Sequence, residues 1–236
     1  MEDTDVALEQ IGDDIWTAFD PSFKFFGLVQ IGTRMTVVKL GDGSLLLHSP
    51  IRIDDELQAE LDAIGPVSAI VCPNQFHHMF AEPYVGLYPK AELYGTPSML
   101  KRQKHLKVQH IMDEKFSTPT SWAEKLDLLY LAGTAFEETV FLHRESKTLI
   151  TSDLIEYFTE HEQWFTRMYL KIMGTYKNPS FPKIVKGFYQ DKPRAKVAFE
   201  QMLELDFVRM VIAHGNVMVE DDPKGVLRRT YSWLLD

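Results

Sequence analysis

The chain predicts a layered α/β protein built on a mixed sheet or two sheets. Three observations carry this expectation. Apolar runs of strand length alternate with helix-periodic stretches, and an early Gly-Asp-Gly turn separates two strand-like segments. The run VSAIVC (Val67 to Cys72) is apolar without alternation, the pattern of a strand covered on both faces.

Taken in order, MTVVKL (Met35 to Leu40) and SLLLHS (Ser44 to Ser49) flank Gly41-Asp42-Gly43, which tolerates the positive φ of a tight hairpin. Asp54 or Asp55 can cap DDELQAELDAIG, where Leu57, Leu61 and Ile64 recur at helical spacing and Gly65 supplies the stop. That helix delivers the chain to VSAIVC, which runs into Pro73-Asn74-Gln75-Phe76-His77-His78. A short helix follows around Met79 to Leu87, interrupted at Pro83, then a strand from Ala91 to Gly95 and a helix, PSMLKRQKH, with Pro97 in its first turn. In the second half, LDLLYL (Leu126 to Leu131), ETVFLH (Glu138 to His143) and TLITSD (Thr148 to Asp153) are strand candidates, the last two joined by the polar turn Arg144 to Lys147. His161 to Met173 reads as a helix, and Gly174 to Gly187 as a loop. Asp191 with Pro193 opens a helix through AKVAFEQMLEL, and the strand VRMVIA (Val208 to Ala213) ends in His214-Gly215-Asn216.

With 236 residues and 45% hydrophobic content, the chain can bury a large core as one domain spanning 1–236. A formal net charge of -9 argues against a nucleic-acid backbone or an anionic membrane surface as the main partner and leaves a small molecule or a protein. Cys72 stands alone, so no intrachain disulfide framework forms, which suits a reducing compartment. No apolar run approaches the roughly 20 residues of a membrane-spanning helix. The acidic opening MEDTDVALEQ lacks the basic and apolar regions of a signal peptide, so cytoplasmic residence is the default expectation. No repeat of 20 to 50 residues and no phosphate-cradling glycine loop is found.

The order of these pieces resembles the metallo-β-lactamase superfamily, in which a buried strand runs into a His-x-His-x-Asp-His loop. Here VSAIVC runs into PNQFHH. Placing His78 on the last histidine puts His77 on the aspartate, and Pro73 and Gln75 on the first two histidines. LAGTAFEETVFLHRESKTLITSDL is similar to the segment that carries a Gly-His-Thr turn and ends in Gly-Asp, with Thr134 at the histidine and Asp153 at the aspartate. VIAHGN is similar to the closing strand and its Gly-His-Gly turn, with His214 as the histidine. More closely, MTVVKLGDGSLLLHSP, IVCPNQFHHMF, YPKAELYGTPSML and TVFLHRESKTLITSDLI resemble an uncharacterised branch of that superfamily, described only as a domain of unknown function.

The resemblance implies a four-layer αβ/βα sandwich with two mixed sheets flanked by helices, and a metal site on loops at one sheet edge. It also implies loss of every histidine of the first of the two usual ions. His78, Asp153 and His214 remain for the second ion, with His77 as a substitute ligand, and His78 and Asp153 are the candidate catalytic pair. Such donors suit one transition ion, zinc first and iron or manganese as alternatives. The implied activity is metal-dependent hydrolysis of a small molecule. The alternative is a non-catalytic descendant in which Asp153 only hydrogen-bonds the histidines.

The other polar candidates divide by context. His77 and His78 point to opposite faces if the chain is extended, and only a turn lets both converge. His48 ends a strand and either enters the pocket or caps the strand. His143 reads as structural, and His105, His110 and His161 as solvated. Glu137 and Glu138 precede a strand, either as a general acid or base or as solvating charges. Cys72 reads as buried and inert. Trp164, Phe165, Met168, Tyr169 and Met173 read first as core, or else as a substrate wall or homodimer contact. Lys171, Lys177, Lys183 and Lys186 make the region around the following loop locally basic, which would suit an anionic substrate.

Overall fold

Two β-sheets pack face to face and each carries helices on its outer side. The computed structural model describes residues 6–219 and 221–236, so the acidic opening at 1–5 lies outside the described residues. The chain starts with the antiparallel strands β1 (Leu8–Gly12) and β2 (Ile15–Asp20), followed by a small hairpin of β3 (Lys24–Phe25) and β4 (Val29–Gln30). Then come β5 (Thr33–Lys39), β6 (Leu45–His48), α1 (Asp55–Ile64), β7 (Val67–Cys72), α2 (Ala81–Leu87), β8 (Glu92–Gly95), α3 (Pro97–Arg102) and β9 (His110–Ile111). The second half holds β10 (Leu126–Leu131), β11 (Glu138–His143), β12 (Thr148–Ile150), α4 (Trp164–Met173), a 3₁₀ turn at Lys183–Phe188 and α5 (Lys192–Glu204). It closes with β13 (Arg209–Val211), β14 (Met218–Val219), α6 (Pro223–Thr230) and α7 (Ser232–Leu235).

The first sheet has the order β1-β2-β5-β6-β7-β8-β9 and the second β10-β11-β12-β13-β14. Both are mixed: β6 to β9 run parallel, as do β12 and β13, and the remaining neighbours are antiparallel. Three apolar layers hold the stack. Leu47, Ile70 and Leu93 pack under Leu57, Leu61, Tyr84 and Met99 of α1, α2 and α3. Between the sheets, Val38, Leu46 and Val71 meet Leu126, Phe141 and Ile150. On the far side Val140, Leu149 and Met210 pack with Phe199, Leu227 and Leu234 of α5, α6 and α7. Val71 facing the second sheet while Ile70 faces the helices is the two-sided burial that a continuous apolar strand requires. The fold is therefore the expected αβ/βα sandwich.

Several element ends differ from expectation for local reasons. Pro83 does not interrupt α2: it sits in the first turn, where its missing N–H removes no helical bond. α3 stops at Arg102 rather than running to His105, and α4 starts at Trp164 rather than His161. The loop expected over 174–187 contains the start of the 3₁₀ turn. Strand β12 ends at Ile150 and β13 at Val211, so Asp153 and His214 both lie on loops beyond the strand ends. No helix among the described residues is long and apolar enough to cross a membrane.

Phe141 lies fully buried between the sheets, edge-on to His48 at 5.2 Å between ring centroids and 6.3 Å from Trp122. Replacing it with alanine leaves a cavity that two hydrogen-bonded sheets cannot close. Phe141→Ala is expected to lower unfolding free energy by about 3–5 kcal/mol in denaturant titration, and a loss below about 1 kcal/mol would refute this packing.

Candidate metal centre

Three loops at the carboxyl ends of β7, β12 and β13 bring His77, Asp153 and His214 together. One ligand-capable atom from each lies within 4.8 Å of the others. His77 Nε2 is 3.3 Å and His214 Nε2 3.4 Å from the same Asp153 oxygen, Oδ1. Both imidazoles are buried, and the Asp153 side chain keeps 21% of its exposure.

His78, the residue expected to be the firmer member of the pair, is not in this group. The turn after β7 sends His77 inward, while the half-buried His78 lies near Arg102, with its Nδ1 unpartnered among the described residues and its pKa lowered, mainly by burial.

Each inward group is fixed from behind. His214 Nδ1 donates to the Gly32 carbonyl at 2.7 Å, and a carbonyl can only accept, so this nitrogen carries a proton and Nε2 is left facing Asp153. His77 Nδ1 is 2.6 Å from Ser49 Oγ. Phe23 stacks on the His214 ring at 6.1 Å between centroids. Gly32 and Gly215 both adopt positive φ, and a Cβ on the first would strike the Phe19 ring and on the second the Tyr157 carbonyl. Only glycine lets these backbones approach closely enough to seat His214.

Asn74 is the hub of the carboxylate side. Its Oδ1 accepts from the N–H groups of Phe76 at 2.8 Å and His77 at 3.0 Å, which shapes the turn that presents His77. Its Nδ2 donates to Asp153 Oδ2 at 2.7 Å and Ser152 Oγ at 3.1 Å. Glu138, fully buried at the start of β11, accepts from the N–H groups of Ser152 at 2.7 Å and Asp153 at 2.9 Å. The view of Glu138 as a solvating charge is thus corrected: it holds the backbone that carries Asp153. Burial, then the charge of Asp153, pushes its pKa up to about 7. Glu137 instead accepts from Ser98 N–H at 2.5 Å, at the N-terminal end of α3.

The electrostatics follow from burial opposed by pairing. Burial alone would raise the Asp153 pKa, but the charge of His77 and the hydrogen bonds from His214 and His77 hold it well below the usual carboxylate range. Burial likewise works against a charged His214, yet the bond to Asp153 and the charges of Asp153 and Glu156 raise its pKa. Glu156 is a buried carboxyl with Oε2 unpartnered among the described residues, pushed up to about 7 mainly by burial.

Other candidates stand apart. His48 is buried against Phe141, with its pKa lowered to about 3, mostly by burial. His143 bonds Ser146 Oγ at 2.7 Å, and His110 pairs with Glu92 at 2.9 Å while stacking on Tyr94. Thr134 accepts from Glu137 N–H at 3.0 Å and so shapes its own turn. Burial pushes the Cys72 thiol up to about 12, which makes it a poor nucleophile.

Sequence reasoning missed Asn74, Ser49, Gly32 and Arg34. Buried Arg34 donates to the carbonyls of Ile212 at 2.6 Å and Gly215 at 3.0 Å and lies 4.6 Å from the Phe19 ring, tying β5 to the loop that carries His214. Desolvation lowers its pKa to about 10. A cavity of about 1070 Å³ opens beside this loop, lined by Phe23, Gly32, Arg34, Arg52 and Gly215 among others.

The comparisons agree with this architecture. The family model "Domain of unknown function (DUF4336)" matches residues 12–171. No curated protein matches the chain. Among solved structures, a metallo-β-lactamase from Pontibacter korlensis superposes with a TM-score of 0.66 at 12% identity, covering 98% of this chain and 100% of that one. One from Hirschia baltica gives 0.64 at 12% identity over 98% and 97%, and the metallo-β-lactamase DIM-1 exposed to ceftazidime gives 0.65 at 13% over 97% and 97%. At these identities the likeness shows the metallo-β-lactamase fold.

Asn74→Ala removes donors and acceptors from both the His77 turn and Asp153. An unfolding free-energy loss of about 1–3 kcal/mol is expected from the buried groups it leaves unpaired, and an unchanged denaturation midpoint would show that the hub is dispensable.

Proposed function

We propose, from the premise that the chain belongs to the DUF4336 family and has the metallo-β-lactamase fold, that it is a metal-dependent hydrolase-like protein with a single-ion centre held by His77, Asp153 and His214. One observation carries the reading. The two histidine nitrogens stand 3.3 and 3.4 Å from one carboxylate oxygen, longer than the ~2.7–2.9 Å of a charge-assisted hydrogen bond. Ligand bonds of about 2.0–2.2 Å at a tetrahedral angle place neighbouring ligand atoms about 3.3–3.5 Å apart, so these two spacings suit a shared cation, with the third pair of atoms within 4.8 Å.

The donor set supports the same reading. The bond from His214 Nδ1 to Gly32 turns Nε2 toward a carboxylate oxygen, and that position takes a proton when the ring is charged and a metal ion when it is neutral. Two imidazoles and one carboxylate accept zinc, with iron or manganese as alternatives, and leave a position open for water or substrate. When bound, such an ion supplies Lewis-acid polarisation and a water whose pKa falls to roughly 7. The residues aligned with the first ion's histidines are Pro73, Gln75 and Thr134, and the Thr134 hydroxyl already accepts a backbone N–H, which supports one ion rather than two.

The chain's own groups take these roles. Asn74 and Glu138 orient Asp153, Gly32 sets the His214 tautomer, and the cavity beside Gly215 receives a small-molecule substrate. His78 is left out of the ligand set because it lies outside the convergent group.

The competing reading keeps the three residues as an ion-paired network with no metal. Zinc added to metal-free protein separates the two. The wild type is expected to gain about 2.7 kcal/mol at a zinc concentration 100 times the dissociation constant, read as a rise in Tm. Asp153→Ala is expected to gain nothing. Equal zinc stabilisation in both proteins, or none in either, would overturn the proposal.

A further inference from the structure

The outer face of α4 and the tip of the β3–β4 hairpin expose apolar side chains that nothing among the described residues covers. Phe26 is 86% exposed, Leu28 70%, Trp164 67% and Ile172 59%, with Phe165 and Met168 also open to solvent. Trp164, Met168 and Ile172 recur every four residues and form one stripe, opposite the face on which Thr166 and Leu170 are buried. The hairpin is anchored on α4: Leu170 packs in the same cluster as Val29 and Ile31, and Gln163 donates to Gln30 at 2.7 Å. The expectation that the α4 cluster belongs to the core is corrected for Trp164, Phe165 and Met168.

Charge is distributed unevenly around this surface. Between Gln163 and Gln190 the chain carries Arg167, Lys171, Lys177, Lys183 and Lys186 and no aspartate or glutamate, within a protein of net charge -9. Lys171 and Lys177 both approach the Tyr176 ring, at 5.4 and 5.7 Å. Neither they nor Lys24 at the hairpin has a carboxylate partner among the described residues. Glu160 and Glu162 lie just before α4 and are the nearest acidic residues in sequence.

We propose that this face docks on an anionic lipid surface, with the hairpin tip and the α4 stripe entering the headgroup region and the lysines pairing with acidic headgroups. Exposed aromatic and aliphatic tips ringed by lysine are the composition of interfacial binding. A second copy is disfavoured, because a twofold contact across this face would bring two sets of like-charged lysines into one interface. A bound peptide would need a groove, whereas Trp164, Phe165, Met168 and Ile172 are absent from the lining of the cavity that opens beside Gln163.

Flotation of the full chain with vesicles of phosphatidylcholine alone, and with 30% phosphatidylserine added, tests the proposal. Partitioning is expected only with the acidic vesicles and is expected to weaken as salt rises. Lys171→Glu with Lys177→Glu should reduce it about tenfold or more, and Phe26→Ser with Trp164→Ser by a similar factor, with unchanged circular dichroism and Tm in both. Partitioning on neither vesicle, or equally on both, would overturn it. So would concentration-dependent dimerisation abolished by Phe26→Ser with Trp164→Ser.

Discussion

A carboxylate set between two buried imidazoles is the constraint on which the site depends. Among the described residues no arginine or lysine pairs with Asp153, so positive charge there comes from His77, from His214 or from an ion that both share with it. Burying an isolated carboxylate costs far more than one hydrogen bond returns, which explains the density of donors around it. Asn74 supplies one N–H to its Oδ2, and Glu138 grips the backbone at Ser152 and Asp153. A site designed only for stability would do better with apolar residues of similar volume.

The sandwich supplies this arrangement by placing three strand ends at one edge. β7 belongs to the first sheet and β12 and β13 to the second, so the distance from His77 to the other two depends on how the sheets pack. The layer around Phe141 sets that spacing across the middle. Arg34 and Gly32 set it at the edge, one binding the carbonyls on either side of His214 and the other accepting from the ring itself. A buried arginine held by carbonyls rather than a carboxylate, with its Nε unpartnered among the described residues, is a costly way to join β5 to a loop, and its cost is offset only if the position of His214 matters.

Much of the fold was legible in the sequence because its signals are local. VSAIVC announces a doubly covered strand, and Leu57, Leu61 and Ile64 announce the amphipathic α1. The opening pair β1 and β2 and the closing helices α6 and α7 were not anticipated. β1 is a half-exposed edge strand of mixed residues, and the two helices are short, so each is stabilised by what it packs against rather than by its own pattern. Asp153 and His214 could be named because the segments that end in them resemble the Gly-Asp and Gly-His-Gly turns of the metallo-β-lactamase superfamily. The choice between His77 and His78 could not be made there, since it turns on the Asn74 side chain capping the turn and rotating one histidine inward. Arg34 and Gly32 lie more than 170 residues from the loop they support, and no local pattern links them to it.

The central claim is that His77, Asp153 and His214 share one ion, and calorimetric titration of metal-free protein with zinc tests it most directly. The account expects saturation at one ion per chain, with proton release that grows as pH falls, because imidazole binds the ion only in its unprotonated form. Saturation at two ions per chain, or no binding at a pH where histidine is neutral, would contradict it.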